Sequence, residues 1–263
     1  METNATIKEV LIKAIRLAGQ IQRGNFQKAV NYKVKESISS IVTDVDLQCD
    51  SIIIDTVAEA FPDHNILTEE NGFVDKHSNF TWVVDPLDGT SNFAAGIPWF
   101  GVLIAVFRGN TPIMGGAYLP MEDLLYFAEE GKGAFVNSEK LAIPESKLKN
   151  SLVAFGIDYT DNAEYLEFGL NCYHWLIKNT RNIRSTNSLV DWTLLTEGKL
   201  GATVNMFTKI WDIAAPWIII KEAGGKLKHL TGDELIFDLS ESGLTQNYPV
   251  MAGNPKTIEQ LFK

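Results

Sequence analysis

Between Trp82 and Phe93 the chain reads Trp-Val-Val-Asp-Pro-Leu-Asp-Gly-Thr-Ser-Asn-Phe, and this stretch constrains the fold more than any other. Trp82-Val83-Val84 is an apolar run of the kind that ends a buried β-strand. Asp85 follows at the strand's mouth, and Pro86, which has no N–H to give, is expected to block further ladder pairing. Asp88 comes three residues later, so both carboxylates can turn towards one point. Carboxylate oxygens at that spacing, with the carbonyl of Leu87 between them, suit a hard cation such as Mg2+. Gly89 leaves room for a close approach, and Thr90-Ser91-Asn92 can open a helix whose free N–H groups would hold a phosphate. The competing reading is a strand ending in a polar turn, because Asp and Gly populate turns freely.

A chain of 263 residues is one large domain or two fused halves, with ample material for a core. No apolar run reaches the length of a membrane span, and the N-terminus has no signal-peptide pattern. Cys49 and Cys172 form neither a disulfide framework nor a metal knuckle, so both are expected to be buried free thiols in a cytoplasmic protein. The formal net charge of −10 argues against a nucleic-acid or anionic-membrane surface, where a basic patch is needed. It leaves a phosphorylated substrate open, because bound divalent cations reverse the local sign. His64, His77, His174 and His229 are scattered, without the spacing of a zinc site.

Apolar residues at helical spacing from Ile7 to Ala18 predict an amphipathic helix over about 7–22. Gly24 to Ser40 is polar, with Lys33 and Lys35 prominent; it reads as a loop or loose hairpin, either solvated or lying over an anionic site. A second helix is expected over about 46–61, with Thr43 or Asp44 as cap. Asn65 to Thr68 is a short strand delivering Glu69 and Glu70. Runs at 99–107, 113–118, 124–128 and 133–136, divided by Gly, Asn and Pro, suggest an antiparallel meander. A polar stretch at 144–150 marks a boundary, which gives an N-terminal α+β half over 1–145 and a C-terminal α/β half over 146–263. In the second half, strands at 152–155, 182–184, 202–206 and 250–252 alternate with helices at 163–178, 189–197, 213–223 and 256–262.

Acidic residues gather at Asp44/Asp46, Glu69/Glu70, Asp85/Asp88 and Asp212, each where a strand-like run ends or a helix-like run begins. Divalent ions bridged by such carboxylates would polarise a phosphoryl group and generate hydroxide near neutral pH. A solvated acidic face is the alternative. No Gly-x-x-x-x-Gly-Lys loop, Ser-His-Asp ordering or Gly-x-Ser-x-Gly elbow is present.

Two motifs carry a resemblance that runs in order along essentially the whole chain. Trp82 to Phe93 is the first; Trp211-Asp212-Ile213-Ala214-Ala215-Pro216, continuing to Glu222-Ala223-Gly224-Gly225, is the second. With Val42-Thr43-x-x-Asp46 and Glu69-Glu70 upstream, the chain resembles the inositol monophosphatase family of magnesium-dependent, lithium-sensitive phosphomonoesterases. The resemblance implies a layered αβαβα sandwich of mixed α/β class with the site between its halves, usually in a homodimer. It implies two to three Mg2+ ions per site: Glu69, Asp85 and the Leu87 carbonyl on the first, Asp85, Asp88 and Asp212 on the second, Glu69 with water on a weaker third. Thr90, paired with Asp46, would position and activate the attacking water, and the N–H groups of Gly89 and Thr90 would grip phosphate. Lys35 sits where the family has a lysine on a mobile loop, and Glu70 would stand behind the ligands. The implied reaction is in-line attack by a metal-activated water without a phosphoenzyme.

Departures from the family pattern fall on the substrate side. Thr68 stands where Gly usually precedes the two glutamates. Inositol-hydrolysing members carry a Glu six residues before the second motif's Trp, where it binds ring hydroxyls; here that residue is Asn205. Asn187-Ser188-Leu189 replaces a run of the Gly-Thr/Ser-Ala type. The wall expected to contact substrate is therefore Asp88, Gly89, Thr90, Ser91, Ser188, Asn205 and Asp212. The Asn205 amide would suit an acceptor such as a second phosphate, helped by Lys209. The substrate expected is a small phosphorylated polyol or sugar. The alternatives are fructose 1,6-bisphosphate, histidinol phosphate, 3′-phosphoadenosine 5′-phosphate or NADP, or a catalytically silent binding protein, which loss of a metal ligand would favour.

Overall fold

Thr3 caps the first helix by accepting the Thr6 N–H at 3.3 Å, and α1 then runs Asn4–Asn25 with Ile7, Leu11, Ala14, Ile15 and Ala18 on its buried stripe. This is a computed structural model that describes residues 3–28, 31–35 and 37–262. The polar stretch after α1 is a two-stranded hairpin, β1 (Tyr32–Val34) and β2 (Ile41–Thr43), paired antiparallel; residues 29, 30 and 36 of that stretch lie outside the described residues. α2 (Asp44–Ala60) starts at a capping box in which Thr43 and Asp46 satisfy each other's backbone.

β3 (Asn65–Thr68), β4 (Gly72–Val74), β5 (Phe80–Asp88), the short helix α3 (Thr90–Ala94), β6 (Gly101–Arg108), β7 (Thr111–Leu119), β8 (Leu124–Glu129), β9 (Gly133–Val136) and β10 (Glu139–Lys140) follow. They form an eight-stranded sheet of order β10-β9-β8-β7-β6-β5-β3-β4. Only the β3–β5 pair is parallel, so the meander read from 99 to 136 holds. After a 3-10 turn at Leu148–Asn150 come β11 (Leu152–Gly156), α4 (Ala163–Asn179), β12 (Asn182–Arg184), α5 (Val190–Thr196), β13 (Ala202–Asn205), α6 (Ile210–Glu222), β14 (Lys226–His229), β15 (Val250–Gly253) and α7 (Pro255–Ile258). The second sheet has order β12-β11-β13-β15-β14.

Burial fixes the layering. Trp82, Val84, Val102, Ile104 and Val106 face α1 and α2 on one side of the large sheet. Val83, Leu103, Ala105 and Ala117 face the other way, onto Ile213, Ala214 and Ile218 of α6, and this core continues into Leu227, Val250 and Ala252 of the small sheet. The far face of the small sheet, with Val153, Phe155 and Val204, is closed by Cys172 and Leu176 of α4 and Ile258 of α7. The order is helix, sheet, helix, sheet, helix: the αβαβα sandwich. Strands buried on both faces carry near-continuous apolar runs instead of alternation. Both cysteines are buried and free. No helix among the described residues is long and apolar enough to cross a membrane.

Several local expectations are corrected. Pro86 does not end the ladder: β5 pairs with β6 through Asp85↔Leu103, slips register, and pairs again at Asp88↔Gly101. The proline costs the bonds around its own position and no more. The last helix is four residues, not seven. The small sheet is mixed, because β15 lies antiparallel to both of its neighbours, β13 and β14. β4, β10 and β14, none longer than four residues, offered too little periodicity to be read.

Candidate active site

In a regular strand, residues three apart point to opposite faces. Asp85 and Asp88 converge because the register slip between them inserts extra backbone, as a bulge does. The Asp85 carboxylate takes the Leu87 N–H at 3.0 Å, closing a turn around Pro86. Gln22, fully buried on the apolar stripe of α1, donates to the Pro86 carbonyl at 2.8 Å and to the Gly101 carbonyl at 3.1 Å, which holds the bulge from behind. Gly89 then turns the chain at φ 85°, and a Cβ there would stand 2.5 Å from the Trp99 carbonyl oxygen; only glycine fits. Thr90 opens α3 immediately afterwards.

Asp212 reaches the same point from the first turn of α6, where its carboxylate accepts the Lys209 N–H at 2.6 Å. Asp85, Asp88 and Asp212 bring carboxylate oxygens within 4.8 Å of one another. Asp88 is aimed by the Leu189 N–H at 2.5 Å. Glu69 enters from the end of β3, parallel to β5; it and Glu70 each lie 2.7 Å from the Lys35 Nζ. The sites expected at Glu69, Asp85, Leu87, Asp88, Gly89, Thr90, Ser91, Ser188, Asn205 and Asp212 all line one cleft of about 780 Å3. Asp46 stands behind it, on Thr90. Asp44, its neighbour in sequence, faces solvent and takes no part.

The electrostatics are those of like charges crowded out of water. Burial pushes Glu69 up to about 8, with Glu70 and Asp212 adding to it. Burial also lifts Asp88 and Asp212 to about 7, and raises Asp85 well above the carboxylate range, reinforced by Glu69, Asp88 and Asp212. Lys35 is pulled down by burial, yet Glu69 and Glu70 hold it above an ordinary lysine. One ammonium does not offset this many acids. An all-oxygen donor set with excess negative charge fits a hard divalent cation.

A stability prediction follows. Each raised carboxyl binds its proton more tightly in the folded chain than in the unfolded one. Without divalent cation, that share of stability is complete below about pH 4 and is lost as pH rises through about 7 to 8. The melting temperature in EDTA is expected to fall between about pH 5 and pH 8, and added Mg2+ to raise it most at the upper end. A metal-free melting temperature that climbs across that range would overturn this account.

Thr90 and Asp46 form the second feature. The Thr90 hydroxyl lies 2.9 Å from an Asp46 oxygen and 2.9 Å from the Leu87 carbonyl. It has one proton for two acceptors. The other Asp46 oxygen takes the Thr43 N–H at 2.9 Å and the Thr43 hydroxyl. The helix cap therefore fixes Asp46, and Asp46 fixes Thr90. Burial raises Asp46 to about 6 against these hydrogen bonds.

The opposite wall carries internal bonds that were not expected. The Asn205 oxygen accepts its own chain's Phe207 N–H at 3.0 Å, and the Lys209 Nζ donates to the Thr245 carbonyl at 2.8 Å. These bonds fix the two side chains and leave the Asn205 Nδ2 group and the remaining Lys209 N–H groups on the cleft wall. Thr68, placed where glycine was expected, does more than alter backbone freedom. Its hydroxyl donates to Asp50 at 3.0 Å and accepts the Asn71 N–H at 3.0 Å, and Asn71 also reaches Asp50 at 2.5 Å. This network braces the turn that carries Glu69 and Glu70. Sequence reading missed Gln22 and Asp158. A glutamine continuing the apolar stripe of α1 marked the first, and an acid two residues beyond a strand-ending glycine marked the second.

The inositol monophosphatase family model matches residues 3–261. A fructose-1,6-bisphosphatase/inositol-1-monophosphatase of Aquifex aeolicus is 32% identical over 228 residues, covering 86% of each chain. The Nus factor SuhB of Haemophilus influenzae is 32% identical over 220 residues, 82% of each chain. Among solved structures, the extragenic suppressor protein SuhB of Bartonella henselae superposes with a TM-score of 0.86 at 26% identity, covering 98% of both chains. With the family model matching nearly end to end and the two acidic motifs meeting in one cleft, the chain belongs to the inositol monophosphatase family, a family of phosphatases.

Proposed function

We propose that this protein hydrolyses the phosphate ester of a small polyol or sugar with Mg2+ as cofactor. The observation that carries the reading is the convergence of Asp85, Asp88 and Asp212 within 4.8 Å beside the Thr90–Asp46 pair. Glu69, Asp85, the Leu87 carbonyl, Asp88 and Asp212 would hold two to three ions. Mg2+ bound there supplies the positive charge that polarises a phosphoryl group and a water. The chain's own groups do the rest. Thr90 would orient the attacking water by accepting a hydrogen bond from it at Oγ while donating its own hydroxyl proton to Asp46, which Thr43 holds in place. The N–H groups of Gly89 and Thr90 take phosphate oxygens, and Ser91, Ser188 and Asn205 border the leaving group. Glu69 borders the water from the cleft side, and Asp46 acts on it only through Thr90.

The same proposal takes the chain as two halves, 1–145 and 146–263, acting as a cytoplasmic homodimer without nucleic-acid or membrane partners. Fructose 1,6-bisphosphate, histidinol phosphate, 3′-phosphoadenosine 5′-phosphate and NADP are the competing esters. The relative named Nus factor SuhB favours a second reading, in which the fold also serves as a binding or regulatory protein.

Phosphate release from a panel of polyol, sugar and nucleotide phosphates, with Mg2+ and with EDTA, separates these. Mg2+-dependent turnover that is highest on a polyol or sugar monophosphate is the expected result. No turnover on any ester by folded protein at saturating Mg2+ overturns the enzymatic reading and leaves the binding one.

A further inference from the structure

Asp158 has no part in the reading above, yet it lines the same cleft. It lies two residues beyond the end of β11, whose Gly156 pairs with Asn205 of β13. A Cβ on Gly156 would stand 2.7 Å from the Asn205 Nδ2 and 2.8 Å from the Asn187 Oδ1, so the glycine lets two amides close over the strand's end. Asn187, in the left-handed region at φ 51°, donates its Nδ2 to Asp158 at 2.8 Å. That takes one of the roughly four lone-pair positions of a carboxylate. Burial raises the Asp158 carboxyl, the Asn187 bond offsets it, and no cation takes part.

Three uses for such a group can be weighed. As a metal ligand it is poorly placed, since it falls outside the set formed by Asp85, Asp88 and Asp212. As a structural ion pair it has no cationic partner among the described residues. As an acceptor for a ligand hydroxyl it is well suited: half-buried, held by one neutral amide, and close enough to Asp88 and Asp212 for its charge to reach both. It shares one cleft wall with Asp88, Gly89 and Thr90, where phosphate would lie.

We propose that Asp158 is a specificity-determining residue that accepts a hydrogen bond from a substrate hydroxyl on the carbon next to the phosphate ester. This rests on the phosphatase reading. It also sets the substrate class as a monophosphate with a neighbouring hydroxyl and no second anionic group on that side. The charge balance of the wall agrees. Glu69, Asp85, Asp88, Asp158 and Asp212 line the cleft against Lys35 and Lys209. Lys35 is engaged by two glutamates and Lys209 by a carbonyl. A second phosphate there would meet the Asp158 carboxylate on a wall where carboxylates outnumber ammonium groups.

The test uses two esters that differ only in the neighbouring hydroxyl, glycerol 1-phosphate and propane-1,3-diol monophosphate. Wild type should prefer the first in kcat/KM by about tenfold, the scale of one charge-assisted hydrogen bond. Asp158→Asn should reduce that preference to within about twofold, with the same Mg2+ stoichiometry by calorimetry. A preference that survives in a folded Asp158→Asn variant overturns the proposal. So does a fall in Mg2+ stoichiometry with equal losses on both esters, which would place Asp158 in the cation site. If wild type hydrolyses neither ester, the phosphatase reading fails instead. Calorimetric titration of the same two esters into wild type and variant then still reads the Asp158 contact: loss of the tenfold preference in the variant supports it, and equal binding in wild type overturns it.

Discussion

Asp85→Asn is expected to abolish nearly all turnover while leaving the fold intact. Asp85 is opposed by Glu69, Asp88 and Asp212 together, and on the proposed function its charge would serve both of the two main ions. Changing an outer partner of a metal ligand typically costs roughly 10–100-fold; losing the shared ligand's charge should cost several orders of magnitude in kcat/KM. The substitution is close to isosteric, and the Asn oxygen can still accept the Leu87 N–H that the Asp85 carboxylate takes at 3.0 Å. The bulge should therefore persist. Removing one charge from a cluster in which Glu69, Asp88 and Asp212 each oppose ionisation of Asp85 should raise, not lower, the melting temperature of the metal-free protein. Mg2+ affinity should fall in the same variant. Near-wild-type activity at saturating Mg2+ would sink the assignment of Asp85.

What could be read from residues alone follows the length and redundancy of each pattern. The stripe of α1 repeats over 22 residues, and the strands from β6 to β8 are punctuated by turn residues, so both were legible. The clustered carboxylates were legible because each sits beside an element boundary that the local sequence itself marks. The convergence of Asp85 with Asp88 was legible only as a possibility of the spacing. What realises it is Gln22, 64 residues from Pro86, and no local pattern announces such a contact. Asp158 was hidden for the same reason. Its Asn187 partner and the Gly156–Asn205 pairing beside it come together only when the small sheet forms. Asn205 lines the cleft as read, but that its oxygen accepts from a turn two residues on was not legible. A side chain that can satisfy its own backbone competes with any ligand for that acceptor.

Thr90 gives the second large effect, and here the shape of the loss matters more than its size. Its hydroxyl is the only polar group Thr90 adds beyond its backbone, and it lies 2.9 Å from both Asp46 and the Leu87 carbonyl. If it orients the attacking water, the interaction strengthens as the reaction proceeds and contributes little to the ground state. Thr90→Ala should then lower kcat by about a hundredfold or more, within the range of positioned proton-transfer groups, while KM changes by less than about threefold. Thr90→Ser keeps the hydroxyl and the first residue of α3, losing only a methyl, and should retain more than about a tenth of wild-type kcat. Asp46→Asn should resemble Thr90→Ala, because Asp46 is what holds the hydroxyl's direction, and combining the two should cost little more than either alone. Equal losses in Thr90→Ala and Thr90→Ser would mean that the methyl packs and the hydroxyl is idle. Losses that multiply in the Asp46 double variant would mean that the two side chains act separately.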